Sequence, residues 1–373
     1  PATGSPRLIN VTGESLSYSQ ETQRSRTLDP NRQVTGLVRT NVSTSGGVDF
    51  EWRYGDLDAL LEAALQSDAT WTDFADIASV TVTFELLGGL PAITFSSSGV
   101  IANIQAGDWI RMSGAGINVA NRRLFRVLSK SSASVILNGP SSIIVAEASV
   151  VGTCEIGQRI SNGSTQKSYS IEKYDTQIPT ARKIFTGQLP NTLSVNGSLG
   201  GVGVTGSMGF IGSTVTTINT DTPMGNAAYS SASSNPIFNS VDPNSGLYRN
   251  NERVECAQSI SIDVSNNLRA EGELFRLGAK SILSGKFEVS GSVALLKEDN
   301  DYIDEFVAFQ DSNLSLVLQD TSGRVLIFDI PRVTWSSYED PASGENESIV
   351  ETVGFQAQRH GVENRTLRLV RFA

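Results

Sequence analysis

The strongest constraint on this chain is that it contains one element twice. Ser281 to Asp311 reads SILSGKFEVSGSVALLKEDNDYIDEFVAFQD, and Gly36 to Ser67 reads GLVRTNVSTSGGVDFEWRYGDLDALLEAALQS. A shift of about 245 positions lays one on the other. Ser45-Gly46-Gly47-Val48 then falls on Ser290-Gly291-Ser292-Val293, Asp56-Leu57 on Asp301-Tyr302, and Leu61 on Phe306.

Each copy reads as a strand running into a short helix. Val42, Val48, Phe50 and Trp52 share one parity in the first copy, with Asn41, Ser43, Asp49 and Glu51 on the other. In the second copy Phe287, Val289, Val293 and Leu295 alternate with Glu288, Ser290 and Ser292. Such period-two patterning predicts sheets with one apolar and one wet face. The following stretch opens on Asp56 and Asp58, or on Asp299, Asp301 and Asp304, which suits the positive end of a helix dipole. Leu57, Leu60 and Leu61 in one copy and Tyr302, Ile303 and Phe306 in the other recur at helical spacing, as do Ala64 and Phe309. These predict helices packed on the apolar face of their own sheet.

Composition narrows the class. The chain has 373 residues, 34 of them glycine, and only 18% charged residues. With abundant Ser, Thr and Val this is the profile of a mainly β protein with many turns. A net charge of -10 argues against a nucleic-acid-gripping groove but suits a surface that must not adhere to nucleic acid. No basic leader and no run near the ~20 apolar residues of a membrane span is present. The expectation is a soluble product made in the cytoplasm. Cys154 and Cys256 read as two separate buried or half-buried thiols.

Along the chain, a polar stretch from Glu21 to Gln33 exceeds a normal hairpin loop. Its counterpart, Ser265 to Gly278, carries Leu268, Leu274 and Phe275 and is expected to pack down. Between residues 75 and 156 short strands recur at the spacing of a small sandwich or barrel. This predicts an inserted β module on the outside of the molecule, because insertions are tolerated where they project. Residues 1–74 with 157–213 then form a first, discontinuous domain, 214–256 a connecting segment, and 257–373 a second domain of the same type. The tail from Arg365 to Ala373 is a last strand or a docking arm.

Catalytic signatures are missing. His360 stands alone beside Gly361, with no nucleophile motif, and reads as an exposed or capping histidine. Asp299-Asn300-Asp301 lacks the glycine and terminal glutamate of a calcium loop. SLGGVGVTGSMG has no lysine and opens no helix, so it is a strand or bulge signal. No enzyme activity, cofactor or metal site is expected.

SISIDVSNNLRAEGELFRLGAKSILSGKFEVSGSVALL (259–296), YIDEFVAFQDSNLSLVLQDTSGRVLIFDIPRVTW and GENESIVETVGFQAQ together resemble the major tail tube proteins of long-tailed, siphovirus-like bacteriophages. RQVTGLVRTNVSTSGGVDFEWRYGDLDALLEAALQSDAT is similar to the N-terminal part of that family, and AGDWIRMSG with NRRLFRVLS to a module in its first half. The resemblance implies two tandem tail-tube-type β-sandwich or half-barrel domains, each with a flanking helix, whose sheets join sideways in a ring. Two copies per chain imply three subunits per pseudo-sixfold ring, with rings stacking into a tube that conducts double-stranded DNA. It also implies partners: further copies of the chain, the tape measure protein, and the tail terminator and tail tip proteins, all within the virion. The polar parity supplies candidate lumen-facing residues: Arg39, Asn41, Ser43, Asp49, Glu51, Asp263, Glu288, Ser290 and Ser292, with Ser259 and Ser261. Arg24, Arg26, Asp29 and Arg32 mark a candidate inter-ring loop, and the two chain ends candidate arms. A terminator or baseplate hub of the same fold is an alternative. So is a carbohydrate-binding β protein, although Trp52, Trp71, Trp109 and Trp335 are scattered.

Overall fold

The duplication becomes a duplication in space. The computed structural model describes all residues except 1–5, 29, 32, 202, 220–227, 343, 345 and 346. The chain enters through β1 (Gly13–Glu14) and β2 (Ser17–Arg24), two pieces of one edge that pair antiparallel with β3 (Leu37–Glu51). Helix α1 (Asp58–Ala64) follows. Six strands then close a barrel: β4 (Ile77–Leu87), β5 (Leu90–Phe95), β6 (Trp109–Ser113), β7 (Leu124–Lys130), β8 (Ser134–Leu137) and β9 (Glu147–Ile156). Next come β10 (Gln158–Ser161), β11 (Tyr169–Asp175), the 21-residue β12 (Ile178–Ser198), β13 (Thr205–Gly212) and β14 (Thr214–Ile218).

Short strands β15 (Gly246–Arg249) and β16 (Glu252–Arg253) lead to the second half. It comprises β17 (Ala257–Ser265), the hairpin β18 (Arg269–Glu271) and β19 (Ser281–Leu283), then β20 (Glu288–Leu296) and α2 (Asp301–Val307). β21 (Asp311–Gln319), β22 (Val325–Glu339), β23 (Val350–Ala357) and β24 (Arg368–Phe372) complete it. β22 pairs with β21, β23 and β24 as β12 pairs with β11, β13 and β14. β17–β20–β23–β22 thus repeats β2–β3–β13–β12, and α1 lies against β12 as α2 lies against β22.

The repeat extends to irregularities. The β12–β13 ladder skips Asn191 opposite Gly209-Phe210, and the β22–β23 ladder skips Ser336 opposite Gly354-Phe355. A glycine faces the phenylalanine in both halves, Gly46 against Phe210 and Gly291 against Phe355. A side chain at either glycine would strike a serine carbonyl, that of Ser15 between β1 and β2 or that of Ser261 in β17. These bulges add twist at matched points.

One core serves both halves. Phe50, Trp52, Leu61, Leu193, Val264, Val289, Tyr302, Trp335 and Phe355 belong to a single buried cluster. Trp52 packs edge-on against Phe50 of its own half and Phe328 of the other, with centroids 5.2 and 5.1 Å away. The barrel has its own interior, including Phe84, Ile93, Phe125, Val127 and Cys154.

The barrel lies along β22 and β24. Trp109 and Leu124 meet Val317, Val325, Ile327 and Phe372. Beside them Arg126 forms buried pairs with Asp329 (2.9 Å) and Glu363 (2.6 Å), and Arg368 pairs with Asp108 (2.8 Å). Burial pushes the Asp108 carboxyl up to about 6, against the opposing pull of Arg159. Charges held this way fix the seat of the barrel, because removing either partner strands the other without water.

Several expectations change. β2 continues to Arg24, so the polar connection begins at Ser25. β12, a stretch that the sequence reading did not assign, runs unbroken through Gly187 and Pro190. Leu268 is buried, but Leu274 and Phe275 do not pack down; they are 80% and 99% exposed. The tail is a strand, β24, paired with both β22 and β10. Asp56 is not in the first helical turn: its buried carboxylate accepts from Asn10 Nδ2 (3.0 Å) and the Ser233 amide (3.2 Å), tying two distant segments together.

Candidate assembly surface

The polar parity of the strands forms continuous rows across both halves. One row runs Asp49, Ser207, Ser194, Asp263, Ser290, Gln356 and Thr334, each the registered neighbour of the next. A second runs Glu51, Thr205, Asn196, Ser261, Ser292, Gly354 and Ser337. Hydroxyls bridge along the rows, Ser194 to Ser207 at 2.9 Å and Ser261 to Ser292 at 3.1 Å. The row between them, Phe50, Gly206, Val195, Ile262, Gly291 and Phe355, and the row beside them, Val48, Met208, Leu193, Val264 and Val289, carry no polar side chain and point the other way. Helices cover that face, so the polar face is left bare of them. Partial burial raises the Asp263 carboxyl above its ordinary value.

The sheet passes from one half to the other through β12 and β17, registered from Thr192↔Ser265 to Ser198↔Ser259. Two edges equivalent to this seam are open. β2 pairs with β3 alone, and Ser336–Glu339 of β22 pairs only with β23, among the described residues. An unpaired strand edge is a template for another chain.

A long polar sheet face with matched free edges is a surface suited to association. The family model described as phage tail tube protein matches residues 1–357. The chain belongs to the phage tail tube protein family. No curated protein sequence matches it. As a tail tube family chain it is a structural component of the virion tail, and membership implies self-assembly into a tube and contact with other tail proteins. Among the described residues no group of three or more His, Cys, Asp or Glu is placed to hold a metal, and no helix is long and apolar enough to cross a membrane.

Against this surface the residues singled out in sequence fall as follows. Asp49, Glu51, Asp263, Ser290 and Ser292 lie in the two rows, and Glu288 pairs with Ser265 in the row beside them. Ser43 and Asn41 sit farther along β3, opposite Ser19 and Glu21. Arg39 does not continue their parity simply, because the ladder steps from Glu21↔Asn41 to Thr22↔Arg39 and leaves Thr40 as an extra residue. Of the packing residues, Leu57, Leu61 and Tyr302 are buried in the main core, and Leu60 and Phe306 lean on it. Ile303 is half-buried, whereas Phe309 is exposed. Arg24 lies in β2 opposite Leu37, Arg26 lies in the connection, and Asp29 and Arg32 lie outside the described residues. His360 closes a turn, its Nδ1 accepting from the Glu363 amide at 3.1 Å.

Ser194, Asn196 and Ser207 were not anticipated. Their strands carry the same alternation, but Gly-rich 198–212 hides it, and β12 becomes visible only through its partners.

Proposed function

We propose that three copies of this tail tube chain close into a pseudo-sixfold ring and that rings stack into a tube whose polar sheet face lines the lumen. The observation that carries this reading is the β12–β17 seam. It joins two equivalent halves inside one chain, and the open edges of β22 and β2 correspond to its two sides. Placing β2 of a neighbour against β22 in the same register sets Ser19 opposite Ser337 and Tyr18 opposite Tyr338. Closure of this kind removes both edges and has rotational symmetry.

In that arrangement Asp49, Glu51, Asp263 and Glu288 give the lumen a mildly acidic wall. It repels phosphates over about a Debye length, ~8–10 Å, so double-stranded DNA slides past without adhering. The residues 25–36 connection and the N-terminal end remain candidate inter-ring arms, whereas the C-terminal end is committed to β24 between β22 and β10. Tape measure, terminator and tail tip proteins complete the partners, with assembly in the host cytoplasm. In this scheme the two sheet units act as tandem repeats over their shared core, and the intervening barrel, with a core of its own, acts as a separate domain riding on the second unit.

Negative-stain electron microscopy of the concentrated protein tests the reading. Hollow tubes with threefold end-on views are expected. Rings that never stack would replace it with a terminator or hub, and rings of six chains would overturn the pseudo-sixfold closure.

A further inference from the structure

The hairpin of β18 and β19 is held firmly at its base and left bare at its tip. Leu268 is buried, Asn266 Nδ2 donates to the carbonyls of Ala64 (2.8 Å) and Pro190 (3.0 Å), and Ser284 donates to Gln66 (2.9 Å). Beyond this anchor Leu274 and Phe275 stand in solvent. Phe275 has a φ of 66°, a left-handed conformation that bulky residues rarely adopt. A hairpin that spends conformational strain to present an aromatic ring to water has the form of a docking knob.

A matching recess lies at the other end of the same strands. A cleft of about 270 Å³ opens where β12 ends and β17 begins, walled by Leu199, Val241, Leu247, Cys256 and Ile260. Leu199 and Val241 at its mouth are 73% and 64% exposed. The hairpin leaves from the opposite end, after Ser265, and β17 separates the two by roughly 30 Å at ~3.3 Å per residue. Charges are complementary as well. Glu273, held by Lys280 at 2.6 Å, and Arg276 flank the knob, while Arg253 and Glu255 line the cleft as a loose pair at 3.9 Å.

We propose that Leu274 and Phe275 of one chain seat in this cleft of a second copy in the adjacent ring. This rests on the stacked-ring reading above, since head-to-tail stacking is what brings opposite ends of one strand pair together. An apolar knob in an apolar recess keeps ring-to-ring contact directional, with Arg276 and the Glu273–Lys280 pair meeting Arg253 and Glu255 at the rim.

The native Cys256 in the cleft wall supplies the probe. Phe275→Cys, treated with a short bis-maleimide, is expected to give a ladder of linked chains on a denaturing gel. Wild type, and the variant that also carries Cys256→Ser, should give none. Mildly alkaline buffer is needed, because the hydrogen bond from the Cys256 thiol to Glu298 holds its pKa up. Phe275→Asp, at a fully exposed site, should fold with an unchanged melting temperature and form rings without tubes. Phe275→Cys tubes that give no ladder, or Phe275→Asp tubes of normal length, would overturn the proposal and leave the tube reading intact. Wild-type rings that never stack would instead overturn the tube reading, and this contact with it.

Discussion

Asp108 is a carboxylate placed where water cannot reach it, between Arg368 and Arg159 at the foot of the barrel. Its folded-state pKa, about 6, lies above the ordinary aspartate value. The folded chain therefore binds more protons than the unfolded chain between about pH 4 and 6, and this group stabilises on acidification. That contribution is complete below the unfolded value and is lost as pH rises through about 6. Asp108→Asn should flatten this dependence, so that denaturant curves of wild type and variant diverge by on the order of 2 kcal/mol across the window. Parallel curves would show that burial does not govern this carboxyl. Nothing in the sequence singles out Asp108, Arg126 or Asp329. Their charged partners come from segments 51 to 260 positions away, and a charge pattern read locally sees only surface residues.

At the scale of elements, the legible features were those with a local period. Alternation in Val48 to Trp52 and in Val289 to Leu295 marked strands, and Leu57 to Leu61 marked a helix. β12 escaped because Gly187, Pro190 and the extra Asn191 break its alternation, and only pairing on both sides holds it straight. The hairpin tip was misread because an apolar residue in a loop usually packs inward, and Phe275 does not. Glycines inside the repeat carry a sharper demand. Gly291 lies under the ring of Phe355 and against the Ser261 carbonyl. Gly291→Ala should cost about 1–3 kcal/mol through forced backbone displacement, seen as a lower unfolding midpoint. Gly272→Ala, where an added methyl meets open space, should be close to neutral. Equal effects at both sites would mean that the Gly–Phe pairing in the repeat is incidental.

For the whole molecule, the duplication predicts a distance that no single chain contains. Directly opposed residues of an antiparallel pair lie about 4.5–5.5 Å apart at Cα, inside the span of a disulfide, roughly 4.4–6.8 Å. Ser19→Cys with Ser337→Cys should therefore oxidise to a closed, covalent trimer, resolved by non-reducing gel and mass. Linear dimers without a closed species, or no linkage in visible rings, would show that the outer seam does not copy the inner one. The lumen candidates shared this limit: their parity was legible, but the rows that cross β12 and β13 depend on long-range register.

The β12–β17 seam also alters what a ring must gather from solution. Half of its sheet junctions are made during folding, at the effective concentration of a tether, and only the other half cost translational freedom on association. An odd number of sheet units is then unreachable, so five- and seven-unit rings are excluded by covalent connection rather than by fine discrimination at an interface. The two halves are also released from identity. One can carry a barrel and the other a different surface, which in the proposed three-chain ring places three appendages, not six, around the circumference and leaves every second position open.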